Sequence, residues 1–213
     1  MPCRIVTVLL LLASTLPAIV IDRIAIVVGN SIIKDSDIDR DIRVTDFLNA
    51  RPLDMTTSAR KAAASRLIDQ ILIRREVRIG DYPRATMEEA EQELSELEKD
   101  RFHSNTALES ALKRYGLTDL QLREQFQWQL TVLRFVEARF KPAVFITDEQ
   151  VEQYYAEHIS ELRRENPGHS SLDGLSPGIR DTLAEQQVNK LFFSWLDQQR
   201  SDAKIKYFEE SLR

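Results

Sequence analysis

A β-hairpin is predicted near the start of the chain, where two short apolar runs flank a turn dipeptide. Isoleucine and valine recur at alternate positions over residues 24–28, as expected of a strand. Gly29 and Asn30 are residue types that adopt the positive φ angles of a two-residue turn, and residues 31–34 return as a second strand. An isolated hairpin is only marginally stable in water. Residues 204–208, in which lysine and apolar residues alternate, are the candidate third strand, so we expect the two ends of the chain to pair within one domain.

The sequence between these strands predicts helices. Residues 57–79 place apolar side chains around most of a helix circumference, so we expect the central buried helix there. The helix that begins at Thr86 carries an acidic run, which is typical of a solvated face. Helix starts are indicated by capping boxes, in which a hydroxyl and a side chain three residues later satisfy backbone N–H groups. The five candidates are Ser36 with Asp39, Thr86 with Glu89, Thr106 with Glu109, Thr118 with Gln121, and Thr147 with Gln150.

Residues 118–140 predict a helix with two apolar stripes rather than one. The first stripe contains Leu122, Phe126, Leu130, Leu133, Val136 and Phe140. The second lies about 100° away around the helix and contains Trp128, Val132 and Phe135. Either both stripes are buried between neighbouring helices, or part of the second stripe lines a groove for apolar segments of another chain.

The helical pattern is interrupted once in the last third of the chain. The helix that begins at Thr147 has Tyr154 and Tyr155 on its apolar side. Residues 165–178 then contain three of the six glycines and two of the seven prolines, which is typical of a linker. A last helix is predicted from near Ile179 to Ser201.

An apolar leader precedes the hairpin. Residues 5–20 follow the basic Arg4 and are shorter than the roughly 20 apolar residues of a membrane span. Pro17 interrupts the run, which favours a cleaved leader over an anchor. We expect cleavage after Ala18, export to the periplasm, and no stable membrane anchor in the mature chain.

These patterns divide the chain into four parts. We interpret residues 1–18 as a signal peptide, 19–164 as the N-terminal part of a helical core, 165–178 as a linker, and 179–213 as the helix and strand that complete the core. The fold class is therefore mainly α with a small β-sheet. A chain with 43% hydrophobic residues can bury a stable core without disulfides, and its only cysteine, Cys3, lies in the leader. The net charge of −5 argues against a nucleic-acid partner.

Candidate chemistry is sparse. His103, His158 and His169 have no partner at metal-ligand spacing, and the sequence has no phosphate loop, dinucleotide motif or nucleophile elbow. Ser170 and Ser171 beside His169 lie in the predicted linker rather than on a rigid scaffold that could assemble a triad. We therefore expect no catalytic residue, metal, nucleotide or other cofactor, and we favour binding over catalysis.

Four segments of the chain, in order, resemble the SurA-like periplasmic chaperones, a family that includes parvulin-type peptidyl-prolyl isomerases. The first spans Ile21 to Asn30 and continues through Ile32-Ile33 to Ser36-Asp37-Ile38-Asp39; the second is Leu67 to Ile73; the third runs from Leu108 through Tyr115-Gly116-Leu117 and Leu122-Arg123 to Thr147-Asp148-Glu149-Gln150-Val151 and Tyr154-Tyr155; the fourth runs from Trp195-Leu196 to Ala203-Lys204-Ile205-Lys206.

The resemblance implies a SurA-like chaperone core with its N-terminal hairpin paired to a C-terminal strand. Isomerase-bearing members insert a parvulin domain of roughly 90 residues where this chain has only the 165–178 linker, so the resemblance extends to the chaperone core and not to the isomerase activity. The leading hypothesis is an ATP-independent holdase that binds unfolded outer-membrane or secreted proteins. The alternatives are a peptidyl-prolyl isomerase and a structural subunit of an envelope complex. The candidate client-binding residues are Trp128, Val132, Phe135, Tyr154 and Tyr155.

Overall fold

The computed structural model describes residues 22–165 and 171–208 of the chain. Within these residues, three strands and seven α-helices follow one another, and the predicted fold class, mainly α with a small β-sheet, is confirmed. The elements are β1 Ile24–Val28, β2 Ser31–Lys34, α1 Asp35–Leu48, α2 Thr57–Ile79, α3 Met87–Leu97, α4 Asn105–Tyr115, α5 Asp119–Phe140, α6 Asp148–Glu165, α7 Leu172–Asp202 and β3 Ile205–Tyr207. A short π-helical turn, Glu98–Phe102, follows α3, and a 3₁₀ turn, Lys141–Ala143, follows α5.

The sheet joins the two ends of the described chain. Its strand order is β2-β1-β3, and both neighbouring pairs are antiparallel. Gly29 adopts a φ of 57° at the turn, where a residue with a side chain would be strained. Val28 lies opposite Ser31 on one side and Ile205 on the other, so the predicted pairing of hairpin and C-terminal strand is confirmed.

α2 is the central helix and begins and ends where the sequence predicts. Its buried residues pack with the inner side of the sheet, α5 and α7 in the main core. Charged side chains of α2 also pair with carboxylates and guanidinium groups of the surrounding helices. These pairs are Arg60 with Asp35 and Asp39, Arg66 with Asp41, Asp69 with Arg200, and Glu76 with Arg139. The helix is therefore held by apolar contacts on one side and by partly exposed ion pairs elsewhere.

Two smaller apolar clusters flank the main core. One unites α1, α3, α4 and the first turns of α5 around the fully buried Phe47 and Leu122. The other joins α6 to the first half of α7 around Ile146, Val151 and Ile179. The described part of the helical body therefore contains three separate apolar clusters rather than a single core.

Two of the predicted helix caps are displaced. The boxes at Thr86, Thr118 and Thr147 form, with reciprocal bonds to Glu89, Gln121 and Gln150. α1, however, begins at Asp35 rather than after Ser36, because the Asp37 carboxylate accepts the Lys34 backbone N–H at 3.0 Å. α4 begins at Asn105, because the Ser104 hydroxyl, not that of Thr106, accepts the Ala107 N–H.

The last helix is longer than predicted. α7 begins at Leu172, so the second half of the predicted linker 165–178 is helical, and α6 continues through Glu165. The Ser171 hydroxyl caps α7 by accepting the Gly174 N–H at 3.2 Å. Apolar contacts of this first half of α7 with α6 outweigh the helix-breaking tendency of Pro177. Residues 166–170 of the predicted linker lie outside the described residues.

The leader prediction also falls outside what the structure describes, since residues 1–21 are not included. Among the described residues, no helix has both the length and the apolar composition needed to cross a membrane.

Candidate functional site

A ladder of aromatic rings connects the main core to the surface where α5 contacts α7. Phe135 of α5 is fully buried, and its ring centroid lies 5.4 Å from that of Trp195 of α7. Phe140, five residues further along α5, has its ring centroid 5.9 Å from those of both Phe192 and Trp195. These spacings fall in the range of favourable aromatic pairs, so the ladder fixes α7 against α5.

The outer end of the ladder is exposed to solvent. The ring of Phe193 lies 5.2 Å from that of Phe192, and 59% of Phe193 is exposed. Consecutive helical residues point about 100° apart, so Phe193 points away from the direction in which Phe192 packs. An exposed phenylalanine thus lies at the end of a series of rings that become progressively more buried toward Phe135.

Two other large apolar side chains, close in sequence to the ladder residues of α5, are also exposed. Leu133 lies two turns before Phe140 on the same side of α5 and is exposed. Phe145, in the connection from the 3₁₀ turn to α6, is 83% exposed. Isolated apolar residues on a surface are ordinary, whereas a contiguous apolar patch is characteristic of a binding surface. We refer to Leu133, Phe145 and Phe193 as the apolar surface.

A charged network holds the base of the ladder in place. The Arg139 guanidinium donates to Glu76 Oε1 at 2.6 Å and to the Tyr82 hydroxyl at 2.7 Å. It also lies 5.4 Å from the ring centroid of Trp195, within the range of a cation–π contact. The Tyr82 ring in turn packs edge-on against Phe135 at 4.9 Å. These contacts orient α2, α5 and α7 relative to one another.

Three of the five predicted client-binding residues lie in the main core. Phe135 has no exposed surface, and Val132 is partly buried. Trp128 is 8% exposed, and the Arg74 guanidinium covers its ring at 3.8 Å from the centroid. A client could reach Phe135 only if α5 and α7 separated, so the second stripe of α5 is mostly packed between neighbouring elements.

The other two predicted residues lie elsewhere. Tyr154 and Tyr155 are partly buried in the small cluster between α6 and α7. The Tyr154 ring stacks on the imidazole of His158 at 4.1 Å, and the His158 Nδ1 contacts the Tyr154 carbonyl oxygen at 2.9 Å. The five residues therefore do not form one continuous lining.

Sequence reasoning did not select the residues of the apolar surface. Leu133 was assigned to the core stripe of α5, and Phe145 lies in a connection without periodicity. A partial signal is the consecutive pair Phe192-Phe193, because two large side chains about 100° apart are both buried only where neighbouring elements cover a wide part of the helix.

The described residues offer little catalytic chemistry. No group of three or more His, Cys, Asp or Glu side chains within them is arranged to hold a metal ion. The two buried polar side chains that the structure describes accept backbone hydrogen bonds. Asp46 accepts the Asp54 N–H at 2.9 Å, and Thr131 accepts the Ala85 N–H at 3.1 Å. What the arrangement provides is apolar contact area on a rigid support. No protein-family model matches this chain, and no curated protein matches it.

Proposed function

We propose that this chain is an ATP-independent periplasmic holdase that binds unfolded outer-membrane or secreted proteins. The observation that carries the proposal is the exposed end of the aromatic ladder, where Phe193 is 59% exposed beside the partly buried Phe192. The resemblance to SurA-like chaperones, stated above from the sequence, is part of the same proposal.

The physical basis is reversible coverage of apolar side chains. Unfolded chains expose the aromatic and aliphatic residues that a folded protein buries, and the apolar surface offers partners for them. Each contact is weak, and binding also costs the entropy of ordering the client. A sum of a few such contacts gives affinity on the order of micromolar, about −8 kcal/mol, with release that needs no nucleotide.

The topology supports a chaperone core without an isomerase domain. The N-terminal hairpin pairs with the C-terminal strand, as the family resemblance implies. Only residues 166–171 separate α6 from α7, which is far too short for a parvulin domain of roughly 90 residues. We therefore do not extend the proposal to peptidyl-prolyl isomerisation, and a tetrapeptide assay with catalysis above the buffer rate would contradict this choice.

Export is the part of the proposal that rests on the sequence alone. Fractionation of cells that express the full chain, with mass spectrometry of the purified product, tests it directly. A periplasmic product that begins at residue 19 is expected. A product that retains the leader in the membrane fraction would contradict export with cleavage.

The holdase activity is tested by light scattering. A denatured outer-membrane barrel protein is diluted into buffer without nucleotide, with or without residues 19–213. We expect suppression of aggregation near equimolar chaperone, and weaker suppression by Phe193→Ser. Leu120→Ser is the matched control, since Leu120 is also exposed on α5 but lies about 30 Å along the helix from Phe140.

Two outcomes would overturn the proposal. Absence of suppression by a folded protein would favour the structural-subunit alternative, which a pull-down that recovers one stoichiometric partner would support. Equal loss of suppression in Phe193→Ser and Leu120→Ser would remove the apolar surface from the mechanism.

A further inference from the structure

A second surface, distinct from the aromatic ladder, lies at the turn end of the sheet. There a cleft of about 640 Å³ opens between the hairpin turn, the C-terminal half of α2 and residues 202–204. Its floor is apolar and contains Val28, Ile71 and Leu72. Its walls are strongly basic.

The basic side chains are three arginines of α2 and one lysine. Arg74, Arg75 and Arg78 face the cleft from the helix, Lys204 lines it from the start of the C-terminal strand, and Asp202 is the acidic residue among its lining residues. The cleft therefore carries a local excess of positive charge in a protein whose net charge is −5.

These cations form no ion pair within the described chain, although Arg74 also covers the ring of Trp128. No carboxylate of the described residues lies within the 4.0 Å that defines an ion pair from any of the four. By contrast, Arg60 and Arg66 of the same helix both pair with carboxylates of α1. Like charges placed side by side repel, so an arrangement of this kind favours an anionic partner.

The cleft continues along an open strand edge. A smaller cavity of about 230 Å³ shares Arg74 and Ile71 with the cleft and is lined by Ile32 and Ile33 of β2. Three carboxylates also line this cavity: Asp37 pairs with Arg40, Asp41 pairs with Arg66, and Glu124 lies beyond ion-pair distance from Arg74. β2 is an edge strand, and Ile32 lies opposite Val27.

The register shows which backbone groups of β2 are available. On the β3 side of β1, the Gly29 N–H donates to the Lys204 carbonyl and the Phe208 N–H donates to the Ala25 carbonyl. In an antiparallel pair the hydrogen-bonded residues alternate, so the residues of β1 that bond to β3 are 25, 27 and 29. Val27 belongs to that set, so its neighbour Ile32 turns its own N–H and C=O away from β1, toward the open side. An extended chain could pair there, as in recognition by strand addition.

We propose that this cleft binds an acidic segment of an extended polypeptide. The segment adds as a strand to the open edge of β2, its carboxylates contact Arg75 and Arg78, and its apolar side chains cover the floor. A free anion would use the charges but not the apolar floor or the strand edge, which is why a polypeptide fits better. The inference concerns a different surface from the apolar surface and stands whether or not the chain is a holdase.

Fluorescence anisotropy with labelled peptides tests the assignment. The probe is a peptide of about six residues, the usual length of a strand, in which glutamate alternates with valine. The comparison peptides replace glutamate by glutamine or by lysine. We expect the acidic peptide to bind at least about tenfold more tightly than the glutamine peptide, and its binding to weaken from about 0.05 M to about 0.5 M salt.

Two variants of equal charge locate the binding site. Arg75→Gln with Arg78→Gln removes two exposed cations of the cleft, and Lys113→Gln with Arg114→Gln removes two exposed cations of α4. We expect the first pair to weaken binding about tenfold and the second to leave it unchanged. Circular dichroism and the melting temperature verify that both proteins are folded. Equal weakening by the two pairs would overturn the proposal, since it would mean attraction by overall charge.

Two further probes test strand addition and distinguish an acidic polypeptide from other anionic ligands. The same acidic peptide with alternate N-methylated residues cannot form one edge of a strand ladder, and we expect one of its two methylation registers to lose binding. Undiminished binding of both registers would overturn strand addition. Displacement of the peptide by an equal concentration of inorganic phosphate, or tighter binding to phosphatidylglycerol vesicles than to the peptide, would reassign the cleft to a simple anion or a membrane surface.

Discussion

The backbone N–H of Gly29 donates a hydrogen bond to the carbonyl oxygen of Lys204 at 2.9 Å. This bond joins the hairpin turn to the residue that directly precedes β3, so the N-terminal and C-terminal parts of the described chain close on each other. The same series of backbone hydrogen bonds continues to Phe208, whose N–H donates to the Ala25 carbonyl at 2.9 Å. β3 is thus a full member of the sheet, although it contains only three residues.

The hydrogen bonds between β1 and β3 predict that proline destabilises the fold to different extents at adjacent positions of β3. Lys206 lies opposite Val27 in a pair that directs its backbone bonds toward β1, whereas the N–H of Tyr207 points to the open side. We expect Lys206→Pro to reduce the free energy of unfolding by about 1–3 kcal/mol more than Tyr207→Pro, because it leaves a β1 acceptor unpaired. Urea denaturation measures both. Equal costs for the two variants would contradict this register.

The aromatic ladder predicts opposite stability effects at its two ends. Phe135→Ala removes a fully buried ring and should reduce the free energy of unfolding by about 3–5 kcal/mol. Phe193→Ala removes a mostly exposed ring and should change it by less than about 1 kcal/mol. Denaturant titration of both variants distinguishes the two positions. A large loss for Phe193→Ala would show that the outer ring supports the fold rather than being available to a client.

Arg74 shields Trp128 from solvent. Its guanidinium lies 3.8 Å from the indole centroid, and the tryptophan is 8% exposed. In a Trp195→Phe background, where Trp128 is the single tryptophan, we expect weak quenching by acrylamide. Arg74→Ala should raise the quenching constant severalfold, since it uncovers the ring face, while Arg75→Ala should not change it. Strong quenching before the Arg74 substitution would contradict the burial of Trp128.

Glu89 links helix capping to pH. Its carboxylate accepts hydrogen bonds from the Arg134 guanidinium and from the Thr86 N–H, and these bonds, chiefly that of Arg134, hold the pKa of Glu89 below its ordinary 4.5. Since the folded-state pKa is below the unfolded value, the contribution to stability is fully present above pH 4.5 and is lost as the pH falls through the folded-state pKa.

Glu89→Gln should therefore lower the free energy of unfolding at neutral pH and have progressively less effect in acid. Glu96→Gln is the matched control, because Glu96 is exposed on the same helix α3 and forms no ion pair within the described chain. Urea denaturation over a pH series measures both. A difference between wild type and Glu89→Gln that stays constant with pH would contradict the role of the ionised carboxylate.

Prediction from the sequence succeeded where the determining interactions are local. The turn at Gly29, the bounds of α2 and the capping boxes at Thr86 and Thr118 depend on residues within one or two turns of each other. Ser36 and Thr106 were wrong as caps because both helices begin earlier: the N-cap residues are Lys34, whose N–H donates to Asp37, and Ser104, whose hydroxyl accepts the Ala107 N–H. The chaperone function and the export of the chain stay predictions.

The sequence by itself determined the fold class, the pairing of the two ends and most helix bounds, because side-chain periodicity and turn chemistry act over short distances. Tertiary structure alone decided that residues from Leu172 onward are helical despite Pro177, since contacts with α6 stabilise them. It also decided that Phe135 is buried while Phe193 is exposed, because periodicity identifies apolar faces but not which neighbouring helix will cover each of them.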